Sequence, residues 1–172
     1  MPQVILVTGG ARSGKSRYAM ELALEYEKRV FIATAQVTDG EMKERIERHR
    51  RERGDLFVTV EEPLDLAGAI GSLLSDTGVA LVDCLTVWLG NLFHHLGEVD
   101  LESPAIRDFL KILEEPPFSL ILVTNEVGMG LVPPDALSRR FRDVAGLLNQ
   151  EVARRAHRVV FTLCGIPMVV KG

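Results

Sequence analysis

The sequence predicts an α/β domain with a mostly parallel sheet and helices on both faces. Three observations predict it. Short β-rich apolar runs recur at residues 4–8, 30–34, 57–60, 79–82, 120–124 and 159–163, with helical patterns between most of them. Such near-continuous apolar strands, lacking a polar alternation, belong to sheets covered by helices on both sides. A last run at 168–170 follows Gly165 and Pro167 too closely for a crossover helix, so it is expected to pair antiparallel at an edge.

Taken in order, the first run leads directly into residues 9–16, which read Gly-Gly-Ala-Arg-Ser-Gly-Lys-Ser, a full match to the G-x-x-x-x-G-K-S phosphate loop. Gly9, Gly10 and Gly14, with Ala11, Arg12 and Ser13 between them, let backbone N–H groups converge on phosphate oxygens. Lys15 is expected to reach the outer phosphates and the Ser16 hydroxyl to ligate Mg²⁺. Tyr18, Leu22 and Tyr26, with Ala19 and Ala23, follow at helical spacing, so a helix N-terminus points its positive end at the anion. The motif therefore predicts binding of a nucleoside triphosphate.

Ligands of such sheets collect beyond the carboxyl ends of the strands, so the residues after each run carry the next expectations. After the second run, Thr34-Ala35-Gln36 offers hydroxyl and amide groups, either to the nucleotide or to ordinary loop contacts. Residues 40–53 then form a helical pattern with five arginines and one histidine. Met42, Ile46, His49 and Arg53 fall on one stripe, which turns His49 inward. Neighbouring cations disfavour imidazolium and attract a polyphosphate, leaving a neutral base or nucleophile; the alternative is a solvated helix laced with Glu/Arg pairs. After the fourth run, Asp83 stands where an acid holds the Mg²⁺ shell opposite a phosphate loop, or where it caps the next helix. After the fifth, Thr124-Asn125-Glu126 and the glycines at 128 and 130 suit a loop that approaches a ligand closely. The Asn-Lys-x-Asp guanine motif of a signalling GTPase is not in this segment.

Composition bounds the rest. With 172 residues and 47% hydrophobic content, one unit spanning 1–172 is expected to bury a real core. A net charge of −4 gives no global attraction to nucleic acid or to an anionic membrane, so basic sites must be local. Cys84 and Cys164 lack metal-ligand spacing and read as small buried hydrophobes in a reducing compartment. No segment reaches membrane-spanning length and the first strand begins at once, so a soluble cytoplasmic enzyme is expected. The proline pairs at 116–117 and 133–134 mark loops, and residues 94–117 carry no motif.

Together, residues 7–16, 32–36, the 41–53 helix, 123–133, and Phe141-Arg142-Asp143 with Gly146, Asn149 and Gln150 resemble the bifunctional adenosylcobinamide kinase and adenosylcobinamide-phosphate guanylyltransferase family of cobalamin biosynthesis. The resemblance spans nearly the whole chain. It implies a RecA-like phosphate-loop NTPase fold, a homotrimer, GTP and ATP with Mg²⁺, and a corrinoid substrate, while the acidic net charge argues for no nucleic-acid partner. It also implies a guanylylated histidine at His49, with nucleotide contacts at the phosphate loop, Thr34, Ala35, Gln36, Arg50, Arg51, Glu52, Arg53, Glu62 and Asp83. Two other functions fit the motifs: a small-molecule kinase whose arginine helix is only a lid, and a switch whose triphosphate orders a partner surface.

Overall fold

The computed structural model describes residues 1–36, 40, 44, 47, 50–51 and 54–172. Among the described residues seven strands form one sheet: β1 Val4–Gly9, β2 Arg29–Ala33, β3 Val58–Glu61, β4 Val79–Asp83, β5 Ser119–Val123, β6 Arg158–Leu163 and β7 Ile166–Lys171. Their spatial order is β3-β2-β4-β5-β1-β6-β7, and every pairing is parallel except β6 with β7. The antiparallel pair sits at the edge, as the short 163–168 spacing requires. Each strand expected from the sequence lies within two residues of its observed bounds.

Among the described residues the two faces are covered unequally. On one, helix α1 (Lys15–Ala23) lays Ala19, Leu22 and Ala23 on Ile5, Val7, Phe31, Leu81, Ile121 and Val123. The other carries α2 (Leu66–Ser72), α3 (Leu85–Leu96), α4 (Pro104–Ile112) and α5 (Ala136–Arg155). There Trp88 and Phe109, both fully buried, meet edge to face with ring centroids 5.1 Å apart. The unread region 94–117 thus contains α4, whose Ile106, Phe109 and Leu110 close this core. Phe141 packs its ring against Phe93 at 5.6 Å.

Three sequence expectations are corrected. The α1 pattern was expected to run to Tyr26, but the helix ends at Ala23, where Arg29 donates to the carbonyls of Leu24 and Tyr26 instead of leaving them to further helical turns. The third run is not buried on both faces: β3 has one neighbouring strand, and Val58 is 68% exposed. Cys84 is buried as expected, but Cys164 is exposed, because it occupies the two-residue turn between β6 and β7. Cys164 and Gly165 both take positive φ there, 53° and 81°, the conformation that matches a tight turn to the twist of its strands. Among the described residues, no helix is long and apolar enough to cross a membrane.

Candidate active site

The phosphate loop leaves the carboxyl end of β1, between β5 and β6 near the middle of the sheet. Gly14, at φ 94°, turns the chain into α1 without a side-chain cap, so the positive end of the helix faces the loop. Gly9 is required by packing as well as by its φ of 151°. A Cβ there would stand 2.5 Å from the carbonyl oxygen of Thr162 and 2.8 Å from Ser13 Oγ. Lys15, only 7% exposed, curls over the loop and donates from Nζ to the carbonyl of Gly10 at 2.5 Å. Its ammonium is thereby held against the loop instead of in solvent. Ser16 is half-buried on the first turn of α1.

Opposite the loop, the ends of β2 and β4 are tied together by Thr34. Its hydroxyl donates to the carbonyl of Cys84 at 2.9 Å and accepts from the Cys84 amide at 2.8 Å. The Thr34 side chain therefore positions the strand ends, while half-buried Ala35 and exposed Gln36 continue along the site rim. Asp83 is the last residue of β4, and its peptide to Cys84 is cis. It does not cap the next helix. That role falls to Cys84, whose Sγ accepts from the Val87 amide at 3.4 Å. Burial first, and then the neighbouring Asp83 carboxylate, push the Cys84 thiol up to about 12, while Lys15 acts in the opposite sense.

A second polar cluster lies at the end of β5. Buried Thr124 donates to Asn149 Oδ1 at 2.8 Å and lies 3.2 Å from the Thr86 hydroxyl, which accepts from the Asn125 amide at 2.7 Å. The following loop is anchored to the phosphate loop, because the Glu126 amide donates to the Gly9 carbonyl at 2.9 Å. Glu126 Oε1 in turn accepts from the Gly128 amide at 2.7 Å. Beyond it Met129, Leu131 and Val132 are exposed.

Glu62 turns inward on its own loop: one oxygen, Oε1, accepts the amides of Leu64 and Asp65, each at 2.7 Å. Its neighbour Glu61 pairs with Arg50, and both side chains are about half exposed. Arg51 is exposed. The open cavity of about 410 Å³ beside Arg50 is lined by Gly54, Thr59 and Glu61, along the β3 edge. His49, Glu52 and Arg53 lie outside the described residues, as does the inward stripe of Met42, Ile46 and His49.

Sequence reasoning did not single out Asn91, Thr86 or Thr162. Asn91 donates from Nδ2 to the carbonyls of Thr34 and Pro63 at 2.8 and 3.1 Å, bridging the β2 end to the loop after β3. Each is a lone polar residue in an apolar or unremarkable stretch, and only the fold brings it to the site.

Mg²⁺ suits the donor set at this edge. The Asp83 carboxylate ends β4 and the Ser16 hydroxyl sits on the first turn of α1, both hard oxygen donors; among the described residues no group of three or more His, Cys, Asp or Glu could hold a metal.

Two solved structures share the architecture. The RadB recombinase matches with a TM-score of 0.50 at 17% identity, over 92% of this chain and 73% of its own. An ATPase from the type III secretion system of pathogenic bacteria matches with a TM-score of 0.54 at 14% identity, over 92% of this chain and 50% of its own. Sequence relatives are much nearer. The bifunctional adenosylcobalamin biosynthesis protein CobP of Pseudomonas aeruginosa is 49% identical over 170 residues, covering 97% of this chain and 96% of its own. The bifunctional adenosylcobalamin biosynthesis proteins CobU of Escherichia coli and Salmonella typhimurium are 39% and 41% identical, each over 98% of this chain and 99% of its own. The model of the family described as cobinamide kinase / cobinamide phosphate guanyltransferase matches residues 5–170. The chain belongs to that family.

Proposed function

We propose that this chain, acting as one nucleotide-binding unit over residues 1–172, phosphorylates adenosylcobinamide with ATP or GTP. It then transfers GMP from GTP to the new phosphate, giving adenosylcobinamide-GDP. The observation that carries the reading is the phosphate loop closed over by Lys15, in a chain whose family match runs from residue 5 to residue 170. On the same reading the enzyme is a cytoplasmic homotrimer.

In the kinase step the loop residues Gly9, Gly10, Ala11, Arg12, Ser13 and Gly14 cradle the triphosphate. Lys15 exchanges its Gly10 carbonyl for the outer phosphates. The hydroxyl on the aminopropanol arm of the corrinoid attacks the γ-phosphorus, a new O–P bond forms, the bond to the β-phosphate oxygen breaks, and the hydroxyl proton leaves. There is little covalent work for the protein; positioning and charge neutralisation dominate. Ser16 and Asp83 would hold Mg²⁺, which supplies further neutralisation of phosphate charge.

In the second step an imidazole nitrogen of His49 attacks the α-phosphorus of GTP, expelling pyrophosphate and losing its proton. A phosphate oxygen of the corrinoid phosphate then displaces the imidazole, so one difficult transfer becomes two easier ones. Arg50, Arg51 and Arg53 neutralise the phosphates as charge shifts, and Thr34, Ala35, Gln36, Glu52 and Glu62 frame the nucleotide.

The test is sequential. With γ-labelled ATP and adenosylcobinamide the protein should give a labelled corrinoid phosphate, and subsequent unlabelled GTP should convert it to a heavier corrinoid that retains the label. A labelled phosphate that GTP leaves unchanged would reduce the chain to a kinase, and no labelled corrinoid at all would refute the reading.

A further inference from the structure

The phosphate loop is gripped from one side by the β6–β7 hairpin. Thr162, the fifth residue of β6 and 1% exposed, stands beside Gly9 in the parallel register of β1 and β6. Its Oγ1 is 2.7 Å from Ser13 Oγ and 3.2 Å from the carbonyl of Thr8, to which it donates. A hydroxyl has one proton, so if Thr162 gives its own to Thr8, the Ser13 proton must point at Thr162. Ser13 is itself buried. Three residues on, the Gly165 amide at the hairpin turn donates to the Ser13 carbonyl at 3.0 Å. The turn also crowds the loop's last glycine: a Cβ on Gly14 would stand 3.3 Å from the Cα of Gly165. Both polar groups of Ser13 that face the hairpin are thus engaged by residues about 150 positions away in sequence.

From this geometry we infer that Thr162 is a positioning residue for triphosphate binding: with the Gly165 amide it fixes Ser13, and so holds the phosphate loop in its anion-binding conformation before the nucleotide arrives. The inference rests on the reading of the loop as the triphosphate site. Its physical content is preorganisation. A loop already held in the bound form pays no ordering cost on binding, and a loop released from Ser13 must pay it with every nucleotide. The Thr162 hydroxyl is buried and engaged by Ser13 and the Thr8 carbonyl, so its removal should act through the loop on ground-state and transition-state binding alike, raising KM and leaving kcat nearly unchanged.

The experiment compares Thr162→Val, Thr162→Ser and Ser13→Ala with the native enzyme, and Lys15→Ala as the control, in the kinase reaction with ATP. Thr162→Val keeps the shape and removes the hydroxyl; KM for ATP should rise about tenfold, the expected consequence of leaving a buried partner unsatisfied, with kcat within about twofold. Thr162→Ser should restore most of the native KM. The double variant Ser13→Ala/Thr162→Val should be no worse than the poorer single one, because both break the same contact. Thermal denaturation of each variant with and without ATP separates a loop effect from general loss of fold. If Thr162→Val binds ATP as tightly as the native enzyme, if serine fails to rescue it, or if the two substitutions act additively, the positioning role is refuted. If Lys15→Ala itself leaves ATP use unchanged, the failure belongs to the reading of the loop.

Discussion

The Thr34 hydroxyl both donates to the carbonyl of Cys84 and accepts from its amide, at 2.9 and 2.8 Å, closing a two-point lock between the ends of β2 and β4. Thr34 is fully buried and Cys84 nearly so. Thr34→Val keeps the volume but strands two buried backbone groups, and is expected to lower unfolding stability by roughly 2–4 kcal/mol. Thr34→Ser should lose far less. Urea unfolding measures both; equal stability of the valine variant would mean that water replaces the lock.

The two cysteines should differ sharply in reactivity. Cys164, exposed in the hairpin turn, is expected to react with a soluble thiol reagent in the native protein at pH 8, whereas Cys84 should react only after denaturation. Burial and the Asp83 charge hold the Cys84 thiol near 12, well above its unfolded value, so the sign of the linkage is set. Below pH 9 both states keep the proton and nothing changes. Between about 9 and 12 the unfolded thiol ionises and the folded one does not, so stability falls as pH rises. Cys84→Ser would flatten part of that decline, visible as a smaller drop in denaturation midpoint from pH 8.5 to 10. Two thiols titrating at equal rates in native protein would contradict the burial.

Much of this was legible in the sequence. Apolar runs and a complete phosphate motif locate β1, its loop and α1, because those features depend on residues adjacent in the chain. The antiparallel β7 followed from the shortness of residues 164–167, which cannot hold a crossover. The fate of β3 was not legible: residues 57–60 look as apolar as a central strand, and only the strand order places them at an edge. Thr162 and Asn91 were equally hidden, since their partners lie 149 and 57 residues away. Cys164 reads as a buried hydrophobe in the sequence, whereas its place in the turn between β6 and β7, set by strand pairing, exposes it.

Asp83 ends β4 and Cys84 caps α3, so the Asp83 carboxylate is not needed by the helix. Asp83→Asn should therefore leave thermal stability nearly unchanged while raising the Mg²⁺ concentration needed for half-maximal kinase activity, by about tenfold or more, as one anionic donor is replaced by a neutral one. A Mg²⁺ titration that superimposes on the native curve would remove Asp83 from the metal site.

His49 offers the sharpest separation of the two proposed reactions, because only one of them uses a nucleophile supplied by the protein. His49→Ala should abolish guanylyl transfer, whereas γ-transfer needs only the phosphate loop with Lys15, the metal and a positioned hydroxyl and should persist at least in part. Native enzyme given α-labelled GTP and Mg²⁺ should acquire a protein-bound label that survives alkali and is released by acid, the behaviour of a phosphoramidate. The His49→Ala protein, first shown to be folded and to bind GTP, should acquire none. The arginines at 50, 51 and 53 provide a second reading of the same chemistry: Arg51→Ala should slow formation of the adduct without changing its acid lability, since it neutralises charge and forms no bond to phosphorus. Label taken up by His49→Ala at the native rate would move the nucleophile to another residue, and native protein that transfers GMP without ever carrying it would mean that the guanylyl group passes directly from GTP to the corrinoid phosphate.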